Sequence, residues 1–345
     1  MAKKDLRQLN KDELILLMAE MSQPKFRASQ IEEWLWNKSA KSIQSMSNLP
    51  QQLRDDLSDS YEIKAVTIAN SQKSADGTIK YAFKLDDGFI VEGVLIPTKS
   101  RVTACISSQV GCSLSCTFCA TGFLKRERNL RADEIYDQVA LLKSEALEAY
   151  DRPLTNVVLM GMGEPLLNYN SVLNGINKIC SEDGLNMSPQ RFTLSTAGIA
   201  KMIKKLGDDQ VRFNLALSLH SANNEKRSKI MPINDSNSLE DLVEALNYFY
   251  EKTGTRVTLE YCVINDINDH PEEAEELIAF ARQIKCKVNL IEYNPIDLAE
   301  FEASSLKKLE AFRDHLEKAR IIVNIRRSRG RDIDAACGQL ANKLA

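Results

Sequence analysis

No run of apolar residues in this chain is long enough to cross a bilayer. The N-terminus, MAKKDLRQLNKDEL, holds no apolar signal core. No membrane partner and no secretory leader are therefore expected, and the expected location is the cytoplasm. Internal repeats and low-complexity tracts are also missing. So is a charge excess: 45 Lys and Arg stand against 48 Asp and Glu, a net charge of −3, and nothing in that balance announces nucleic acid. Histidine is scarce, with three in the chain. A disulfide framework is not expected in a reducing compartment, so metal or redox chemistry is the better reading for any of the eight cysteines that cluster. Cys180, Cys262 and Cys286 stand alone in periodic apolar surroundings and read as buried fillers.

The 345 residues suffice for one large domain and a smaller one. Residues 11–58 read as short helices: DELILLMAEM has helical apolar spacing, and PKFRASQIEEWLWN puts Ile31, Trp34 and Leu35 on one face. The period then changes to two. YEIKAVTIAN, IKYAFKL and FIVEGVLIP read as strands, the last two joined by the hairpin signal Asp86-Asp87-Gly88. From about residue 98 strands and helices alternate, with strands expected at 102–107, 155–161, 190–196, 212–219, 256–264, 287–293 and 321–326. Helices are expected at 132–149, 238–252, 271–284 and 303–318, among others. Consecutive βα units predict a parallel sheet curled into a full or partial barrel, with ligands at the C-terminal ends of its strands.

Several chemistry-bearing groups fall at such ends. GCSLSCTFCATG, directly after strand 102–107, carries Cys112, Cys116 and Cys119. A closed structural zinc wants four ligands, and no fourth stands nearby. A four-iron cluster normally takes four cysteines; with three, one iron is bare and can bind a substrate. A zinc-stabilised, non-catalytic RNA-binding protein remains the alternative of another class. Other strands end at Gly163-Glu164, at Ser195, at Ser218-Leu219-His220 and at Asn294, each offering small polar groups to the same mouth. Glu92 is the only charge in the run Phe89 to Ile96, and Cys105 lies in a strand just before the cluster loop. Cys337 is a lone cysteine in a polar tail, flanked by Gly330 and Gly338.

Cys-x3-Cys-x-Phe-Cys on the loop after the first strand of a six-unit βα barrel resembles the radical S-adenosylmethionine (SAM) superfamily. That resemblance implies a 4Fe-4S cluster on Cys112, Cys116 and Cys119, its bare iron chelated by SAM. GMGEP, SLH, EYNP and RGRDIDAACGQL narrow the resemblance to the RlmN/Cfr group of ribosomal-RNA adenine methyltransferases, over nearly the whole chain. What it implies is an α/β fold, a partial (β/α)6 radical SAM barrel at 98–328. A helical N-terminal accessory domain (1–60), a β-hairpin extension (61–97) and a mobile C-terminal tail (329–345) complete it.

The resemblance further implies that Gly163, Glu164, Ser195, Ser218, Leu219, His220 and Asn294 bind the cofactor, used twice per turnover. Cys337 would carry the methyl as S-methylcysteine, Cys105 would resolve the adduct through a transient disulfide, and Glu92 would accept the proton. The implied product is 2-methyladenine in 23S rRNA and in tRNA; C8 methylation, which in the group confers antibiotic resistance, is the alternative. An electron donor such as flavodoxin is implied, and a monomer is expected. For RNA contact the sequence offers Lys125, Arg126, Arg128 and Arg131 after the cluster loop, Arg326, Arg327, Arg329 and Arg331 before Cys337, and Lys3, Lys4 and Arg7.

Overall fold

The N-terminal segment folds as three short helices, α1 (Lys11–Glu20), α2 (Phe26–Glu32) and α3 (Gln51–Ser60). The computed structural model describes residues 3–343; residues 1–2 and 344–345, the outermost ends of the expected accessory domain and tail, lie outside them. Helix α2 runs straight into a π-helical turn, Glu33–Asn37. The wider turn advances the buried face by about one residue. Ile31 and Leu35 are buried as expected, but Trp36, not Trp34, joins the core, edge-on to Tyr136 at 5.2 Å. Trp34 stays half-buried. Arg7 fastens this unit to the rest: its buried guanidinium bonds both carboxylate oxygens of Asp137 at 2.8 Å and Asp133 at 3.2 Å.

Beyond residue 66 a single ten-stranded sheet forms, its strands lying in chain order. They are β1 (Thr67–Lys73), β2 (Ile79–Lys84), β3 (Ile90–Pro97), β4 (Val102–Cys105), β5 (Asn156–Leu159), β6 (Phe192–Thr196), β7 (Asn214–Ser218), β8 (Val257–Val263), β9 (Cys286–Glu292) and β10 (Val323–Arg326). From β1 to β4 neighbours are antiparallel. From β4 onward every pairing is parallel. The Asp86-Asp87-Gly88 turn joins β2 to β3, with Gly88 at φ +88°, a value that glycine adopts freely.

Crossover helices α4 (Ala132–Tyr150), α5 (Tyr169–Cys180), α6 (Ala200–Asp208), α7 (Asn224–Ile230), α8 (Leu239–Thr253), α9 (Pro271–Ala281) and α10 (Leu306–Lys318) separate the parallel strands. Strands β4 to β9 with their helices make six βα units, and β10 adds a seventh parallel strand. Because β1 and β10 are the two free edges, the barrel is partial. Interior strands of such a sheet are covered on both faces, and all seven residues of β8, VTLEYCV, are buried. No helix among the described residues is long and apolar enough to cross a membrane.

Candidate active site

At the C-terminal ends of β5 to β10 lies a cavity of about 950 Å³, counting the open space of its mouth. Cys112, Cys116 and Cys119 line it together with Glu164, Ser195, Ser218, His220, Glu260, Arg326 and Cys337. The cluster loop is closed at its base by an antiparallel pair, Gln109–Val110 with Arg128–Asn129, which the sequence did not announce. Gly111, at φ +75°, lies where a Cβ would come within 2.0 Å of the Lys125 carbonyl, so only glycine lets the two arms cross there. Burial pushes the Cys112 thiol up to about 11 and raises Cys116 and Cys119 as well, with neighbouring thiols adding to it. Three half-buried thiols of raised proton affinity favour a cation that displaces their protons.

The spread of these sulfurs bears on which cation. Thiolates 2.3 Å from one tetrahedral zinc stand about 3.8 Å apart. Among the described residues, the only trio of metal-ligating side chains gathered within 4.8 Å is Asp266, Asp269 and His270, so the three cysteines are more widely spaced than that. The donor set fits a multi-iron cluster better than a single zinc.

Glu164 follows β5 and is buried; its oxygens accept from the Ala197 amide at 2.7 Å and the Leu166 amide at 3.0 Å. Burial raises its proton affinity and these amides oppose that. Each oxygen keeps a second lone pair for a ligand ammonium. Gly163 adopts φ +95°, and a Cβ there would meet Gln109 at 2.5 Å, so the glycine is required by the protein's own packing. The hydroxyls of Ser195 and Ser218, on adjacent strands, are 3.3 Å apart. His220 is buried and sits at φ +57°; its Nδ1 accepts from the Cys262 amide at 2.9 Å, which leaves the neutral ring's proton on Nε2. Burial, then the charge of Arg227, pushes its pKa down to about 3.

Two expected cofactor residues are placed differently. The Leu219 side chain is fully buried in the core, away from the cavity lining, because it alternates with Ser218 and His220 along the strand end. Asn294 is buried, but its side chain is occupied by the tail: Nδ2 donates to the Cys337 carbonyl at 3.2 Å, and Oδ1 accepts from Arg331 at 3.0 Å.

The tail lies over the cluster loop as a strap. The Ala120 amide donates to Gly338 at 2.7 Å and the Thr121 hydroxyl to Leu340 at 2.7 Å. Glu92, fully buried, anchors the strap's end: Oε2 accepts from the amides of Ala341 at 2.9 Å and Asn342 at 3.0 Å, while Oε1 lies 3.5 Å from the buried Lys80 ammonium. In this state Glu92 does not line the cavity. Cys337 does line it, exposed to that space. The buried Cys105 thiol is pushed up to about 12 by burial and by Cys337, with Arg326 opposing. Cys337 is raised by burial and eased by the same arginine.

The structure adds three residues. Cys262 is buried as expected of a filler, yet it faces the cavity; Cys180 and Cys286 are only half-buried. Glu260 is a lone charge in an apolar strand, the same signal that singled out Glu92. Arg227, fully buried, ties the ends of β6 and β7 by donating to the carbonyls of Ala197 (2.6 Å), Ser218 (3.2 Å) and Leu219 (3.0 Å). Its sequence context, NEKRSKI, reads as an exposed helix face and gives no sign of this.

Much of the expected RNA surface is spent internally. Arg7 is buried against Asp137, Arg128 forms a bidentate pair with Glu134 at 2.8 Å, and Arg131 bonds Asp86 at 3.0 Å. Arg326 points into the cavity, and Arg327 and Arg331 both pair with Glu292. Each sits beside carboxylates that only the fold brings near.

Residues 106–281 match the family model described as "Radical SAM superfamily", and residues 4–63 match that described as "Ribosomal RNA large subunit methyltransferase N-terminal domain". Fold and site together define a radical SAM enzyme. The chain is 58% identical over 341 residues to a probable dual-specificity RNA methyltransferase RlmN of Cytophaga hutchinsonii, covering 99% of this chain and 93% of the relative. It is 54% identical to the protein of that name from Christiangramia forsetii, covering 99% and 97%. A crystal structure of a radical SAM methyltransferase from Sphaerobacter thermophilus superposes with a TM-score of 0.92 at 38% identity, covering 98% of this chain and 99% of that one. The chain belongs to the RlmN family of radical SAM RNA methyltransferases. These relatives favour neither the C8 nor the zinc-protein alternative.

Proposed function

We propose that this protein methylates C2 of an adenosine in 23S rRNA and of an adenosine in tRNA, with Cys337 as the methyl carrier. The observation that carries the reading is one cavity lined by Cys112, Cys116 and Cys119 and also by Cys337. Cys112, Cys116 and Cys119 would hold a 4Fe-4S cluster, and Glu164, Ser195, Ser218 and His220 would hold SAM. When bound, these two supply the reductive, hydrogen-abstracting chemistry that an unreactive aromatic carbon demands.

The chain's own residues do the rest. The Cys337 thiolate displaces a methyl group from the sulfonium: a sulfur–carbon bond forms on Cys337, and the methyl–sulfonium bond breaks to leave a thioether. After the methyl carbon has joined the base, Glu92 takes the proton from C2. The Cys105 thiolate then attacks the Cys337 sulfur, breaking its bond to the product carbon and leaving a Cys105–Cys337 disulfide; the electron pair of the broken bond stays with that carbon, which takes up a proton to complete the methyl group. Two molecules of cofactor are consumed per turnover, and an external donor such as flavodoxin supplies electrons to a monomeric enzyme. Since Glu92 holds the docked strap, its role as acceptor requires the strap to lift.

Mass spectrometry of ribosomal RNA from cells with and without the gene is expected to show one 2-methyladenine lost with it. Cys337→Ala is expected to abolish that product while leaving iron content and reductive cofactor cleavage unchanged; normal RNA methylation by the variant would remove the carrier role.

A further inference from the structure

The polar groups of the cavity divide into two sets. Those at the ends of β5 to β7 and on the cluster loop are the ones proposed above to hold the cofactor and cluster. The second set, Glu260 on β8 and Arg326 on β10, stands on the inner face of the barrel beside Cys337. Strand register sets it there. Glu260 pairs with Ser218 on one side and Asn289 on the other, and Asn289 pairs with Asn324. Arg326 lies two residues beyond Asn324, so it projects from the same face as Glu260.

This pair is incompletely satisfied. Glu260 is 4% exposed, and its Oε1 accepts from Asn289 Nδ2 at 2.9 Å. Its Oε2 is buried and accepts no hydrogen bond; the Arg326 Nη1 lies 3.8 Å away, beyond hydrogen-bond reach. Among the described residues the Arg326 guanidinium makes one hydrogen bond, to the Met160 sulfur at 3.3 Å, although it carries five N–H groups. A buried carboxylate oxygen without a donor destabilises the fold unless a ligand supplies one. The vacant acceptor beside an unused donor fork complements a ligand that offers a donor and an acceptor on neighbouring atoms. An adenine edge does so, with its N6 amine next to N1 or N7. Met160, Ile291 and Tyr293 supply apolar and aromatic wall for the ring of an unstacked base.

We propose that Glu260 and Arg326 form the subsite that reads the edge of the target adenine, Glu260 accepting from the N6 amine and Arg326 donating to a ring nitrogen. This rests on the function proposed above, whose substrate it resolves to two contacts. RNA and SAM both carry adenine. The target base is assigned because Glu260 and Arg326 line the same cavity as Cys337, the residue that must meet it.

The test uses reconstituted full-length enzyme and an RNA hairpin holding either adenosine or purine ribonucleoside, which lacks the N6 amine, at the target position. Methylation of Cys337 in the absence of RNA is followed in parallel by protein mass spectrometry. Wild type is expected to prefer adenosine by tenfold or more in kcat/KM, as a site built to bond that amine rejects its absence. Glu260→Ala is expected to lose the preference, a ratio into which any change in its RNA-free Cys337 methylation enters equally for both RNAs. That second measurement also reports that the variant is folded. A wild type that treats the two RNAs alike overturns the subsite with no variant needed, as does a Glu260→Ala that keeps the preference. Equal loss of Cys337 loading and RNA methylation also overturns it, assigning the pair to the cofactor's adenine. Wild type that methylates neither Cys337 nor RNA removes the parent reading, and the subsite with it.

Discussion

His220 shows how much of the site's chemistry is set by burial around one ring. Its folded pKa is pushed down to about 3 from an ordinary 6.5, by burial and then by Arg227. The folded state therefore refuses a proton that the unfolded chain accepts below 6.5. The stability this confers is present above 6.5 and is lost as pH falls towards 3, by up to about 1.4 kcal/mol per pH unit. His220→Asn, whose amide oxygen can accept from Cys262 in place of Nδ1, removes the titration. The stability gap between wild type and variant is expected to narrow steadily between pH 6.5 and pH 4 in urea unfolding. A gap independent of pH would show that the ring is not held neutral. Residues of this kind were partly legible in the sequence. A lone charge in an apolar strand marked Glu92, and the same mark was available for Glu260. Arg227 was illegible, because the carbonyls that hold it come from two strand ends that are distant in sequence.

Among the elements, the strap behaves least as its composition suggests. RGRDIDAACGQL is polar and glycine-flanked, which reads as a loose segment. Its anchors, however, lie roughly 250 residues upstream: Asp76 accepts from the Gly330 amide at 2.9 Å, Asp332 accepts from the Ser74 hydroxyl at 2.6 Å, and Glu92 takes the amides of Ala341 and Asn342. No local pattern reveals partners at that separation. The strands from residue 79 onward, by contrast, were legible from their short apolar runs, each observed within two residues of its expected bounds, whereas the strand expected over 61–70 is observed at 67–73. Lys80 is the cation that makes a buried Glu92 tolerable at the strap's anchor. Lys80→Met leaves that carboxylate uncompensated, a change that costs about 3 kcal/mol for a buried pair. The expected outcome is a local one. Amide exchange at Ala341 and Asn342 accelerates by about a hundredfold, the equivalent of that energy, while amides of β7 keep their protection. Uniform acceleration across the protein would mean that Lys80 supports the whole fold and not the strap.

For the whole molecule the governing quantity is how few cations remain free. The sequence offered two basic runs beside the mouth and a further set in the N-terminal segment, but the fold has already spent Arg7, Arg128 and Arg131 on carboxylates of its own and turned Arg326 inward. Charge runs disclose what is available, and only the fold discloses what is committed. What stays outward after the cluster loop is Lys125, 83% exposed and loosely paired with Glu127 at 3.4 Å, together with the exposed Arg126. With a net charge of −3 the body of the protein gives RNA no long-range attraction, so affinity must come from such local contacts. Each phosphate neutralised contributes about 0.7 to 0.9 to the slope of log affinity against log salt. The double variant Lys125→Ala, Arg126→Ala is therefore expected to flatten that slope by between one and two units and to leave thermal stability unchanged. Arg128→Ala should do the reverse: stability falls, because Glu134 and Asp87 lose their partner, and the slope holds. Anisotropy titrations of labelled RNA at four salt concentrations separate the two cases. A slope that does not move in the double variant would shift the RNA contact to another face.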